Sequence, residues 1–214
     1  MPPPRRRLEV PRVLWVEGKD DSAVVQGLCK KATVPYVFDV EEKGGIERLL
    51  AGIGVEVRER RLERFGVVVD ADTDAAKRWS VVRRIFSGEG YADLPDNLPD
   101  GGIIVPETSR LPRVGVWIMP DNRSPGAIEE FATLLVAPGD VLFGLATQAV
   151  DGIPQEHRRF MDTQRGKAYI HTWLAWQTDP GAPMGQAIAN NDLDANAPAA
   201  HGFIAWLRRL MVDE

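Results

Sequence analysis

The stretch "FGVVVDADTD", residues 65–74, joins an apolar run directly to three aspartates at alternate positions. A strand without polar interruptions is typical of a parallel sheet that helices cover on both faces. Asp70, Asp72 and Asp74 follow at the end of this run, where a parallel strand reaches the edge of its sheet. The stretch therefore predicts a buried strand whose carboxyl end carries acidic side chains.

Other apolar runs alternate with helical patterns as far as about residue 137, which predicts an α/β fold with a mostly parallel sheet flanked by helices. We expect a flexible lead-in over residues 1–10, the core over residues 11–137, and a helical extension over residues 138–214 that packs on the same core. Ser124 as N-cap and Pro125 in the first turn predict the start of one helix. Asp20 or Asp21 is the expected cap of another. The further strands are "VLWVE" (13–17), "YVFDVEE" (36–42), "GIIVPE" (102–107) and "RVGVWIMPD" (113–121).

The composition excludes several classes of protein. The single cysteine rules out an internal disulfide, and no Cys and His spacing predicts zinc. No apolar run approaches the roughly 18 residues of a membrane span, and "MPPPRRRLEVPR" lacks the hydrophobic core of an export signal, so we expect a cytoplasmic protein. The net charge of -5 argues against bulk attraction to polyanions. Basic clusters at residues 5–7, 58–64, 83–84 and 157–159 are interpreted as solvated helix faces, with nucleic-acid contact as the alternative.

Acidic residues follow three different strands. In open α/β sheets, functional groups gather where the strands end, so these acids are expected at one edge. Like charges brought together in this way cost free energy unless a cation neutralises them. A ligand set of oxygen atoms alone suits Mg²⁺ or Mn²⁺, whereas scattered surface acids are the alternative interpretation. The acids are Glu17 and Asp21 after the first strand, Asp70 and Asp72 after the third, and Asp121, Glu129 and Glu130 after the last.

The segment "DADTD" has several other interpretations. A calcium-binding EF-hand needs Gly at its sixth position and Glu at its twelfth, where this chain has Ala75 and Val81, so calcium is excluded. A glycosyltransferase Asp-x-Asp site would leave Glu17 unexplained. A phosphate-receiver domain would need its acidic pair closer to the first strand, and no phosphate-binding P-loop is present. Asp74 is either a third metal-binding acid or, as we favour, the N-cap of the next helix.

Four motifs occur in order along the chain: "VLWVEGKDD" (13–21), "EEKGG" (41–45), "VVVDAD" (67–72) and "GAIEEF" (126–131). Together they resemble the Toprim domain, the metal-binding domain of topoisomerases, bacterial primases and several nucleases. The details are most similar to the OLD (overcoming lysogenization defect) nucleases and to an uncharacterised small Toprim-like family. That family shares "MPDN…G-x-x-E", here residues 119–129, and a later Lys-Ala pair, here Lys167 and Ala168. The resemblance covers roughly residues 11–211.

The resemblance implies a nuclease that cleaves phosphodiesters of DNA or RNA with Mg²⁺ or Mn²⁺. It implies Lys167 as a cation that offsets charge in the transition state. OLD nucleases carry an ATPase domain that is absent here, so any ATP gating would have to come from an ATPase partner, and a homodimer stays open. A binding or regulatory subunit with little activity alone, partnered with an ATPase in phage defence, is the main alternative, and a nucleotidyl or glycosyl transferase is the third. The implied metal ligands are Glu17, Asp21, Asp70, Asp72 and Glu129, and the implied catalytic residues are Glu17, Asp70, Asp72, Glu129 and Lys167.

The remaining aromatic and imidazole side chains have less specific interpretations. Trp173, Trp176 and Trp206 occur in helical patterns and are expected to pack helices onto the sheet rather than to stack on bases. The histidines share no ligand spacing, so none is expected to bind metal or act as a base.

Overall fold

A computed structural model describes residues 12–59 and 62–212, so the predicted lead-in and two of the basic clusters lie wholly or partly outside the described residues. Five strands form one sheet in the order β2-β1-β3-β5-β4. All strands of the sheet are parallel except β4, which pairs with β5 in the antiparallel direction. The predicted α/β class with a mostly parallel sheet is therefore confirmed. The strands are β1 (Arg12–Val16), β2 (Asp39–Glu42), β3 (Arg64–Asp70), β4 (Ile103–Val105) and β5 (Arg113–Met119).

Eight helices are present in the described part of the chain, together with short 3₁₀ turns at Gln155–His157 and Asp162–Gln164. None of these helices is both long enough and apolar enough to cross a membrane. The helices are α1 (Lys19–Lys31), α2 (Ile46–Glu59), α3 (Ala75–Gly88), α4 (Ile128–Thr133), α5 (Val141–Asp151), α6 (Arg165–Leu174), α7 (Met184–Asn190) and α8 (Pro198–Met211).

The valine run of β3 is buried on both faces of the sheet, as its sequence predicts. Val68 belongs to a hydrophobic cluster on one face, formed with residues of α1, α4, α6, α7 and α8. Val67 and Val69 belong to a second cluster on the other face, formed with residues of α2 and α3. Successive side chains of a strand point to opposite faces, so a strand covered on both sides must be apolar throughout.

The helices after residue 137 share the first of these two clusters with the sheet. Trp173 and Trp206 are buried there, as predicted, and their indole nitrogens donate to Asp140 Oδ1 (3.1 Å) and to the Ile103 carbonyl (3.0 Å). Trp176 is exposed, so its predicted packing role is wrong. It lies two residues past the end of α6, where the apolar stripe of the helix no longer sets the direction of the side chain.

Strand register brings the ends of β1, β3 and β5 to the same edge. Trp15 of β1 pairs with Val67, and Asp70 at the end of β3 pairs with Met119 at the end of β5. Glu17 and the loop that begins at Pro120 therefore extend from the same edge as Asp70. This edge is the one at which sequence analysis places the acids.

The helix after β5 begins later than its sequence predicts. Its first residue is Ile128, and Ser124 instead donates its backbone N–H (2.7 Å) and its hydroxyl (2.9 Å) to the Asp121 carboxylate. Gly126 has a φ of +132°, which a right-handed helix cannot contain. Its backbone exchanges two hydrogen bonds with Asp72, at 2.7 and 2.9 Å, and this pairing joins the loops after β3 and β5.

Candidate functional site

The carboxylates of Glu17 and Asp70 lie close together at the ends of neighbouring strands. Glu17 Oε1 accepts a hydrogen bond of 2.8 Å from the Asp70 backbone N–H. The covalent geometry of aspartate limits the distance from this nitrogen to its own carboxylate, so the two carboxyl groups are less than about 8 Å apart. This is within the limit of about 10 Å that we expect for acids serving one ion or a close ion pair. Burial raises the pKa of Glu17.

Asp21 and Asp70 are acids in an environment that disfavours their charge. Asp21 is only 5% exposed, and its Oδ2 accepts from the Gly18 N–H (3.2 Å), so it supports the start of α1 from inside the helix rather than as N-cap. Burial, followed by the charges of Glu17 and Glu129, raises the pKa of Asp21 to about 7. Burial, followed by the charge of Asp21 and then of other acids, raises the pKa of Asp70 to about 9. The acids therefore lie close enough for the charge of one to disfavour the charge of the next.

One oxygen of each of these two carboxylates has no hydrogen-bond partner. Oδ1 of Asp21 and Oδ1 of Asp70 are both buried, and neither receives a donor from any described residue. An unpaired buried acceptor costs about 1–3 kcal/mol, and more when the group is charged. A cation bound to such an oxygen would remove this cost.

Glu129 brings the third strand end to the site, in the first turn of α4. It is 7% exposed and accepts a salt bridge of 2.5 Å from Lys167 Nζ, on the first turn of α6. The side chain of Lys167 is 52% exposed, and its hydrogen bond to Glu129 raises its pKa. The predicted pair of a late acid and a late lysine is thus in direct contact.

Asp72 differs from the buried acids, because its side chain is 61% exposed and lies at the rim of the site. It forms a salt bridge with Arg78. Arg78 Nε also donates to the Asp70 carbonyl (2.7 Å), so this one guanidinium holds both ends of the Asp-x-Asp turn. Asp72 has a φ of +54°, a conformation that this clamp and the pairing with Gly126 maintain. Sequence analysis missed Arg78, although an arginine one turn into the helix after Asp-x-Asp is a usable signal.

The remaining acids of the motifs bind the backbone of their own loops. Asp74 is the N-cap of α3 and accepts from the Lys77 N–H (3.0 Å), so the favoured interpretation of this residue is confirmed. Glu130 accepts from the Ala127 N–H (2.7 Å) and caps α4. Asp121 accepts from the backbone of Arg123 and Ser124.

Asn122 is a second residue that sequence analysis missed. It is buried, with Oδ1 accepting from the Ile118 N–H (2.7 Å) and Nδ2 donating to the Asp100 carbonyl (2.9 Å). It therefore fixes the loop that joins β5 to α4, and α4 is the helix that carries Glu129. A polar residue directly after a buried strand is the signal that could have identified it.

The chemistry of this donor set fits a hard divalent cation. Its oxygen atoms, with no thiol or imidazole among them, are the ligands preferred by Mg²⁺ and Mn²⁺. The unpaired oxygens of Asp21 and Asp70 give such an ion two acceptors. In residues 12–59 and 62–212, however, no three His, Cys, Asp or Glu side chains are grouped as in a formed metal site. Side-chain rotation can bring further carboxylates around an ion, whereas the burial of the unpaired oxygens is fixed by the fold.

A cleft of about 670 Å³ opens beside Asp72. One wall is the loop that joins β5 to α4, including Pro125 and Gly126, and the other includes Met161 and Gln164. Its volume is in the range of small-ligand sites.

Comparison with known proteins gives one positive finding. No curated protein and no solved structure matches the chain. A family model matches residues 11–212, which is nearly the whole sequence and includes every residue of the site. The chain therefore belongs to the family described as "Protein of unknown function (DUF3226)".

Proposed function

We propose that this protein is a nuclease of the Toprim and OLD type that cleaves phosphodiesters of DNA or RNA with Mg²⁺ or Mn²⁺. The observation that carries the proposal is the pair of buried, unpaired carboxylate oxygens on Asp21 and Asp70. They lie among acids from three strand ends, and such a set is costly to keep without a cation. A cytoplasmic location, where nucleic acid and an ATPase partner are both available, is part of the proposal.

The ligands in this proposal are Glu17, Asp21, Asp70 and Glu129, and Asp72 joins them from the rim. A bound divalent ion would stabilise the negative charge that develops on the phosphoryl oxygens. It would also lower the pKa of a water molecule bound to it. The protein's own contribution is to bury Asp21 and Glu129 and to orient the other carboxylates, which strengthens their interaction with a cation.

Two cations of the chain border the acids and have separate roles in the proposal. Arg78 is a positioning residue, because it holds the turn that carries Asp70 and Asp72. Lys167 has its ammonium group at the exposed side of the site, where it can bind a phosphate oxygen and offset the charge of the transition state. The cleft beside Asp72 has room for part of an unpaired strand next to the metal ligands.

The test is a cleavage assay on the purified full-length protein. Plasmid, single-stranded DNA and RNA are each incubated with Mg²⁺ or Mn²⁺, and we expect cleavage of at least one substrate that EDTA abolishes. Asp70→Asn keeps the shape of the side chain and should remove the activity. Asp96→Asn is the matched control, because Asp96 is a highly exposed acid that pairs only with Arg83 in the described chain.

A second candidate is a binding or regulatory subunit that works with an ATPase partner, as in phage defence. The observation that favours it is that Glu129 and Asp72 are already neutralised by Lys167 and Arg78. A partner would then be needed to release these acids. Metal binding without cleavage of any of the three substrates would support this candidate and contradict the nuclease.

A further inference from the structure

The salt bridge between Lys167 and Glu129 places a cation of the chain itself against the acidic site. Nζ lies 2.5 Å from Glu129 Oε1, and Glu129 is 7% exposed. The other nearby cation, Arg78, is engaged by Asp72 and the Asp70 carbonyl. Lys167 is therefore the positive group that neutralises the Glu129 carboxylate within the described residues.

We propose that Lys167 is a built-in counter-ion that takes the place of the divalent cation in the metal-free protein and leaves Glu129 when the cation binds. The assignment of this cation to a nuclease centre rests on the proposed function. The existence of a place for it rests on Asp21, which is 95% buried and keeps Oδ1 unpaired among the acids.

The ammonium group of Lys167 is the partner that can move. Its side chain is half exposed and ends in a flexible four-carbon stem, so it can turn into solvent at little cost. Glu129 is buried in the first turn of α4, where its neighbours on the helix are packed into the core. A divalent ion beside Glu129 would repel the ammonium group and compete for the same oxygen.

Displacement would leave Lys167 tethered at the edge of the site. An ammonium group without a carboxylate partner is a strong donor to a phosphate oxygen. The same lysine can therefore compensate Glu129 before the metal binds and contact the substrate afterwards. This exchange gives one residue two roles, as the counter-ion of Glu129 and as the cation implied for transition-state charge.

The proposal predicts that removal of the Lys167 charge tightens metal binding. The metal-free site becomes more negative and the bound ion loses a repelling neighbour, so the Kd for Mn²⁺ should fall at least about fivefold. A lysine that merely organises the ligands would have the opposite effect when removed. The direction of the change therefore separates a counter-ion from a supporting residue.

The experiment is a titration of the full-length protein with Mn²⁺. Binding is measured by calorimetry and by the electron paramagnetic resonance signal of the free ion. Lys167→Met and Lys167→Gln are compared with Lys77→Met. Lys77 is the matched control, since it is also a lysine paired with an acid, Asp74, but its side chain is 85% exposed and away from the buried acids. We expect tighter binding in both Lys167 variants and an unchanged Kd in the control.

Thermal unfolding gives a second measurement that does not depend on the titration. In EDTA both Lys167 variants should unfold at a lower temperature than the wild type, because Glu129 loses its partner. Saturating Mn²⁺ should then raise their Tm by more than it raises that of the wild type. Equal or weaker Mn²⁺ binding by the variants, or no Mn²⁺ binding by any of the proteins, would overturn the counter-ion proposal.

These measurements contain no nucleic acid, so they are separate from the test of the nuclease. Tighter binding in the variants together with no cleavage by the wild type would support the counter-ion and contradict the nuclease. Cleavage by the wild type together with unchanged Mn²⁺ affinity in the variants would support the nuclease and contradict the counter-ion.

Discussion

Replacement of Asp70 by asparagine should stabilise the metal-free protein, and the gain should be larger at pH 8 than at pH 5. Burial, together with the charges of Asp21, Glu17, Glu129 and Asp72, raises the pKa of Asp70 to about 9. In an unfolded chain the pKa of aspartate is about 3.9. At a pH between about 3.9 and about 9, the Asp70 carboxyl keeps its proton in the folded protein and loses it in the unfolded chain.

The sign and size of the effect follow from this difference. Because the pKa is higher in the folded state, the contribution of Asp70 to stability is complete below about pH 4 and is lost as the pH rises towards 9. At pH 7 the loss is at most about 4 kcal/mol, from roughly three pH units at 1.36 kcal/mol each. An asparagine does not titrate, so Asp70→Asn should recover much of this free energy. For a chain of this length that corresponds to a rise in Tm on the order of 10 °C.

The assay is thermal or urea unfolding in EDTA at pH 5 and pH 8, with Asp96→Asn as the control. The difference in stability between wild type and Asp70→Asn reports the contribution of Asp70 together with its electrostatic coupling to the neighbouring acids. Saturating Mn²⁺ should remove the advantage of the variant, because only the wild type keeps the ligand. A variant that is less stable than the wild type at both pH values would refute the reasoning.

Three further substitutions test two contacts near the site and one open position on a helix. Gly166→Ala should cost on the order of 1 kcal/mol in urea unfolding, because the new Cβ would clash with Glu130 Oε1 and displace the carboxyl that caps α4. Gly144→Ala, at a helical position with no neighbouring atom within 4 Å, should instead stabilise by about 0.5–1 kcal/mol in the same measurement. Arg78→Met should weaken Mn²⁺ binding and, if the protein is a nuclease, slow cleavage at least about tenfold, which is about 1.4 kcal/mol in the barrier. The exposed Arg84→Met, on the same helix, should leave both quantities unchanged; an equal loss there would show that Arg78 has no special position.

The sequence determined the features of this protein that depend on local periodicity. The unbroken valine run before Asp70 identified a strand buried on both faces, and the alternation of strands and helices predicted the parallel sheet. Parallel strands end at one edge, so the positions of Glu17, Asp70 and Glu129 in the sequence were sufficient to place them together. Local turn chemistry likewise identified Asp74 as a cap.

Only the tertiary structure decided which of these acids are buried and which cations meet them. Asp21 and Asp72 are both acids near strand ends, yet one is deep in the site and the other is at its rim. Lys167 meets Glu129 across 38 residues of sequence. No periodic pattern encodes such a contact, because it depends on how α6 packs against α4. The pKa values, the unpaired oxygens and the counter-ion are consequences of that packing, since the cost of a carboxylate's charge depends on the atoms that surround it.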